Sequence, residues 1–274
     1  MTVCRYVAFG YALILSTVTL AVPAVYAQEH FRLIPDVQFL FGMEQGTLLV
    51  SGETLIPAGG QPGSGTRVNV SSSLGVEYGE STGIVLQATM WEDHVVDFGY
   101  LMALPTGMKK VPHSFRFQNK TYPAGTLLET RIDFNWLRLS YGYKLFQLSS
   151  QWLGPRIGVH YVTAATTING ESEEAGIISN TRRLDGTFPV IGLEARYLLP
   201  LGLDLNMELE GVYLFSAGYL AMLKMGATWE VYPNVSMTAG LCTRIVQHIE
   251  DNQPLNNEWT YNLASLSIGL LFGF

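Results

Sequence analysis

The sequence predicts an all-β chain: a transmembrane antiparallel β-barrel of about twelve strands, within a range of about ten to fourteen. Three observations carry that expectation. Apolar residues make up 48% of the chain and Asp, Glu, Lys and Arg only 14%. Past the N-terminus, no run approaches the roughly 18 consecutive apolar residues that a membrane helix needs. Instead, apolar and polar residues alternate with the period of two that a strand imposes.

Residues 1–27 read as a secretory signal peptide, leaving 28–274 as the barrel. Arg5 is its positive end, Val7 to Val22 its apolar core, and Val25-Tyr26-Ala27 a small-residue cleavage site. Polar Gln28-Glu29-His30 follows at once, which disfavours an anchor helix. Arg5 is the signal's one charge, so cleavage moves the formal net charge from −7 to −8. That balance speaks against nucleic acid as a partner. Cys4 lies in the signal, so Cys242 has no partner for an internal disulfide and reads as a small strand residue.

Phe31 to Met43 is the first expected strand and Gly46 to Ile56 a weaker second. Residues 57–83 break the rhythm with Pro-Ala-Gly-Gly-Gln-Pro-Gly-Ser-Gly and read as a long non-spanning segment, in which Val68 to Glu77 is a short helix or a strand that does not cross. Ile84 to Met90, Val96 to Leu104 and His113 to Asn119 alternate as the next three strands. In Thr126 to Phe146 the apolar set passes from Leu128, Ile132, Phe134 and Trp136 to Leu137, Leu139, Tyr141 and Tyr143. A one-residue phase slip predicts a β-bulge there. The length predicts that part of this strand stands above the bilayer. Trp152 to Thr166, Phe188 to Leu199, Leu203 to Phe215, Tyr219 to Val231 and Val235 to His248 complete the wall, with 168–186 and 250–257 as polar loops.

The closing strand ends Leu-Ser-Ile-Gly-Leu-Leu-Phe-Gly-Phe, placing Leu266, Ile268, Leu270, Phe272 and Phe274 on one face against serine and glycine. This ending resembles the C-terminal insertion signature of Gram-negative outer-membrane β-barrels. The resemblance implies a cell outer-membrane location, insertion by the barrel-assembly machinery, and contact with outer-membrane lipid and lipopolysaccharide. With the C-terminus on the periplasmic side, the turns at Pro233, Pro200 and 147–150 are short and inner, while loops 168–186 and 250–257 are outer. Barrels have this asymmetry. The segment 57–83 is the exception, because this count puts it inside; either it caps the pore or the count is off by a pair. Tyr197, Trp229, Trp152 and Phe272 fall near inner ends and Tyr213, Phe215 and Tyr219 near outer ends, where amphipathic rings settle at interfaces. A soluble sandwich is the competing fold. It fits poorly, because the wet face carries charge on strand after strand.

That face is the expected lumen. It holds Asp97, Arg116, Glu129, Arg131, Asp133, Arg138, Lys144, Arg156, His160, Glu194, Arg196, Asp204, Glu208, Glu210, Lys224, Glu230, Arg244 and His248. Interspersed signs suit either a structural salt-bridge network or a narrow conduit whose wall charges select small polar solutes. A narrow porin-like channel is the leading expectation. A structural or adhesive surface barrel with a closed lumen is the first alternative, and an outer-membrane lipid hydrolase the second. The hydrolase pattern of His-x-Ser is absent: Ser114 directly follows His113, and neither His160 nor His248 has a serine two residues on. Asp93-His94, in an expected outer loop, resembles a protease-type pair only by adjacency. No catalytic residue, metal ligand set or cofactor is assigned.

Overall fold

The computed structural model describes residues 37–56, 66–117, 120–148, 151–172, 176–200, 202–252 and 255–274. The signal segment 1–27, the start of the expected first strand and the Pro/Gly run at 57–65 lie outside the described residues. The strands are β1 (Val37–Ile56), β2 (Thr66–Asn69), β3 (Tyr78–Met90), β4 (His94–Ala103), β5 (Thr106–Lys110), β6 (Phe115–Phe117), β7 (Lys120–Tyr122), β8 (Leu127–Tyr143), β9 (Phe146–Leu148), β10 (Gln151–Ser172), β11 (Gly176–Leu199), β12 (Leu203–Tyr213), β13 (Gly218–Tyr232), β14 (Val235–Asn252) and β15 (Leu255–Gly273). A single 3-10 turn, Phe215–Ala217, joins β12 to β13.

Ten strands close an antiparallel ring, in the order β1-β3-β4-β8-β10-β11-β12-β13-β14-β15 and back to β1. This is two fewer than the central expectation. The first and second expected strands are one, because Gly46 does not end β1. It faces the lumen where a Cβ would come within 2.3 Å of the Leu266 carbonyl oxygen, so close strand approach requires glycine. The expected strand at His113–Asn119 does not cross either: β6 pairs only with β7, as a separate hairpin.

The pair fewer also corrects the sidedness. Phe39 and Phe274 exchange backbone hydrogen bonds of 3.2 and 2.8 Å, so both ends of the barrel wall lie at one rim, the inner one in the orientation expected from the sequence. The connections after β3 (91–93) and β13 (233–234) lie there, as do β9 and the ends of β11 and β12 nearest to each other in sequence. Residues 66–77, 104–117 and 120–126 lie toward the opposite rim, so the described part of the segment counted as inner is no exception. Asp93 and His94 sit at the inner rim, opposite to the expectation. Most of 168–186 is not loop but the continuation of β10 and β11.

β8 pairs with β4 and β10 without a register shift, so the expected bulge is absent. Even-numbered residues face inward from Leu128 to Gly142. What changes is the chemistry of each face. Outward residues run Glu129, Arg131, Asp133, Asn135 and then Leu137, Leu139, Tyr141; inward residues run Leu128, Ile132, Phe134, Trp136 and then Arg138, Ser140. The outward face meets hydrocarbon in the membrane and water above it, so its polarity inverts at the boundary. β10 does the same: outward Leu153, Ile157 and Val159 give way to Thr163, Thr167 and Asn169, while inward Arg156 and His160 give way to Val162, Ala164 and Ile168. Glu129, Arg131 and Asp133 therefore lie outside the lumen. Polar pairs mark the boundary on the outer face, with Tyr100 OH donating to Asn135 Oδ1 at 2.6 Å and Thr82 Oγ1 to Gln45 Oε1 at 3.0 Å.

The outer half of the barrel thus encloses an apolar core. Leu48, Phe134, Trp136, Val162, Phe188, Val246, Trp259 and Tyr261 fill it from the wall. Val68, Leu74 and Val76 join from the segment after β1, and Phe117 and Tyr122 from the β6–β7 hairpin. That hairpin touches β2 beside β1 and β11 across the ring, so it spans the mouth. Asn180 Nδ2 donates to the Phe117 carbonyl at 3.2 Å, Lys120 Nζ to the Ser179 carbonyl at 3.0 Å and Tyr122 OH to the Ile168 carbonyl at 3.3 Å.

Candidate functional site

Beneath the apolar core, the membrane-level lumen is polar, and Arg156 is its hub. It sits on β10 with a side chain only 2% exposed. Its guanidinium meets Asp97 of β4 at 2.5 Å, Glu194 of β11, and Glu208 and Glu210 of β12 at 3.5 and 3.2 Å. Arg138 of β8 pairs with Glu208. Ser140 Oγ donates to Glu210 Oε1 at 3.0 Å. Glycines on the inward faces, such as Gly99 beside the Arg138 side chain and Gly142 beside that of Arg156, leave room for these long side chains. In a low-dielectric interior each ion needs its partners, and a guanidinium fork can serve several carboxylates at once.

His160 closes the cluster upward. Trp136 Nε1 donates to His160 Nδ1 at 3.2 Å, and His160 Nε2 lies 2.7 Å from Glu210 Oε2. With Nδ1 accepting, the ring proton is on Nε2. This chain of contacts joins the apolar half of the lumen to the ionic half.

Three further cations lie nearer the inner rim and side wall. Arg196 reaches Glu194 at 3.3 Å, Gln87 Oε1 at 3.3 Å and Asp204 at 3.9 Å. Lys224 pairs with Glu44 at 3.2 Å. Arg244 donates to Ser265 Oγ at 3.3 Å and lies over the Trp136 ring at 5.5 Å. A cavity of about 220 Å³ remains below the hub, lined by groups including Glu44, Gln87, Arg196, Asp204 and Lys224.

The structure therefore brings Asp97, Arg138, Arg156, His160, Glu194, Arg196, Glu208 and Glu210 together. Other expected lumen residues lie elsewhere. Arg116 is exposed on the β6–β7 hairpin, not in the barrel wall. Lys144 is at the inner rim, 5.8 Å from the centroid of Trp152, whose ring faces the lumen side and also carries Arg196. Trp152 is thus not a lipid-facing girdle residue. Glu230 is exposed at the inner rim and accepts the Asn234 backbone N–H. His248 belongs to the outer core, edge-on to Phe188 and Trp259. Leu266, Ile268, Leu270, Phe272 and Phe274 share the outward face of β15. Sequence reasoning missed Glu44, Gln87 and Ser140 as members, and put Trp136 on the wrong face. The signal for Glu44 was its even spacing from Gly42 and Gly46, hidden by the supposed strand break.

No family model matches the chain, and no curated protein does either. Among solved structures, the chain is similar to the outer membrane protease OmpT from Escherichia coli, with a TM-score of 0.58 and 12% identity over 86% of this chain and 97% of that one. It also aligns with the translocator domain of the autotransporter NalP from Neisseria meningitidis (TM-score 0.42, 11% identity, 96% and 97% covered) and with Ail of Yersinia pestis (TM-score 0.39, 8% identity, 86% and 99% covered). At these identities the likeness is one of fold, and the fold shared with the first of these neighbours is that of the Gram-negative outer-membrane β-barrel.

Proposed function

We propose that this chain is an outer-membrane surface barrel with a closed lumen, whose working part is the β-walled rim that stands above the membrane. The observation that carries this reading is the stacking of two seals in one bore. The Arg156 cluster ties β4, β8, β10, β11 and β12 together across the membrane-level lumen. Above it, aromatic and aliphatic side chains fill the outer half, under a hairpin that crosses the mouth. A conducting pore needs a hydrated path, and neither layer supplies one. This favours the structural or adhesive alternative over the narrow channel. A hydrolytic role is supported less: His160, next to Glu210, is 0% exposed and reaches neither water nor a lipid ester. Purified, folded protein in planar lipid bilayers should give no stepwise current in monovalent salt. Reproducible unitary conductance from the same preparation returns the channel reading to first place.

A further inference from the structure

The cap over the mouth has a charge of its own. From Phe98 to Leu128 the chain holds Lys109, Lys110, Arg116 and Lys120 and not one Asp or Glu. The formal charge of the whole chain is −7, so this stretch runs against its composition. It builds β5, the connection after it and the β6–β7 hairpin. Phe115 and Tyr122 stack at 5.1 Å, and with Phe117 they face the core. Alternation then turns Arg116 and its cross-strand partner Thr121 away from the barrel, with Lys120 beside them. Backbone hydrogen bonds from Val111 to Thr126 at 2.9 Å and from Gly125 to Val111 at 2.8 Å tie the Lys110 end to the chain leaving the hairpin.

These cations are not used inside the fold. Lys110, Arg116 and Lys120 are exposed, as are His113 and Ser114 between them. Lys120 Nζ donates to the Ser179 carbonyl, and among the described residues no carboxylate lies within ion-pair distance of Lys109, Lys110, Arg116 or Lys120. By contrast, Arg67 meets Glu53 and Glu258 at 3.1 Å, and Arg131 meets Asp133 at 2.7 Å. The acids of the outer rim, such as Glu77, Glu80, Glu129 and Glu171, are exposed on the wall rather than on the cap. Like charges gathered on one cap repel one another, and an anionic ligand relieves that repulsion.

We infer that the cap, centred on Lys110, Arg116 and Lys120, is a docking surface for an anionic polysaccharide outside the cell. The inference rests on the rim being the working surface, and it names the partner. The cations supply the charge, and the Ser114 and Thr121 hydroxyls beside Arg116 supply hydrogen bonds to sugar or acid oxygens. The membrane's own lipid phosphates are out of reach. A ring of ten strands has a radius of roughly 10 Å, so the centre of the mouth lies about a Debye length inside the wall. The polar outward run of β8 lifts the rim above the hydrocarbon as well. A single-stranded nucleic acid lacks its stacking platform, because the rings of the hairpin face the core. A duplex laid across the mouth would rest its phosphates on the acidic wall. A protein partner lacks an anchor: between Lys109 and Thr126 no described residue exposes a large apolar side chain. A hydrophilic chain with regularly spaced acid groups needs neither ring nor pocket.

The probe is fluorescent dextran sulfate, titrated onto the full-length protein in phospholipid nanodiscs at low salt, with neutral dextran as the blank. Dextran sulfate should bind, and binding should weaken steeply as salt rises. K110Q/R116Q/K120Q should lose at least about tenfold in affinity, while R131Q/R183Q on the outward wall stays within about twofold. The native protein supplies a reading that needs no variant: bound dextran sulfate should slow tryptic cleavage after Lys110, Arg116 and Lys120 and leave cleavage after Arg67 unchanged. Equal binding by the cap variant, equal binding of neutral dextran, or no binding at low salt overturns the inference. So does an oligothymidylate of matched charge that binds as tightly, in favour of nucleic acid. Loss of dextran sulfate binding when lipopolysaccharide is added to the nanodiscs also overturns it, because the membrane's own glycolipid then covers the cap. Unitary conductance would defeat the closed-barrel reading while leaving these titrations as they stand, so the two failures are separable.

Discussion

Arg156→Met should be the most damaging single substitution in the barrel, lowering unfolding free energy by about 3–5 kcal/mol or preventing insertion. The reason is what it leaves behind. Glu208 keeps Arg138 and Glu194 keeps Arg196, but Asp97 has no other cation within ion-pair reach among the described residues. Glu210 keeps only Ser140 and His160. A carboxylate buried without its ion costs more than the pair returned. Arg156→Lys should fall between, since one ammonium cannot replace a fork that meets four carboxylates. Arg131→Met is the control: its pair with Asp133 is half exposed on the outer face, so the change should stay within about 1 kcal/mol. Urea unfolding in lipid vesicles, followed by tryptophan fluorescence, measures all three. Equal small effects for Arg156 and Arg131 would mean that the lumen is hydrated.

Phe188→Ala should cost about 3–5 kcal/mol, the usual range for a large ring removed from a packed core. Phe188 is 0% exposed and lies edge-on to His248 across the outer half. Phe215→Ala should cost little by comparison, because that ring is 82% exposed at the β12–β13 turn. A barrel whose outer half held water would give the opposite ranking. The same unfolding assay decides it, and limited proteolysis of the β10–β11 hairpin should accelerate in Phe188→Ala alone.

The alternation was legible because a wall one residue thick imposes period two wherever its faces differ. From it came the barrel, the two-sided wall and most of the ionic cluster: Arg138, Arg156, His160, Glu194 and Glu208 sit at inward positions. The strand count was less legible. Inward glycines such as Gly42 and Gly46 mimic a turn in composition, while their role is close approach of strands. β6 looked like a spanning strand because Phe115 and Phe117 share a face, but their rings pack downward into the mouth. The slip in β8 was read as an extra residue. Periodicity alone cannot distinguish a bulge from an unbroken strand that crosses from oil into water, because both exchange the apolar face. The neighbours' register distinguishes them, and only the fold supplies it.

Cysteine scanning along β8 tests the inversion and the closure together. Single cysteines go in at Glu129, Arg131, Asp133, Leu137, Leu139 and Tyr141, and at inward Ile132, Phe134 and Arg138, with Cys242 replaced by serine. A membrane-impermeant maleimide should label 129, 131 and 133 on intact vesicles. A lipid-soluble quencher should reach 137, 139 and 141, and neither reagent should reach 132, 134 or 138. Aqueous labelling of the 137–141 set, or of the inward set from either side of the membrane, would contradict a barrel that is dry inside above the bilayer and sealed within it.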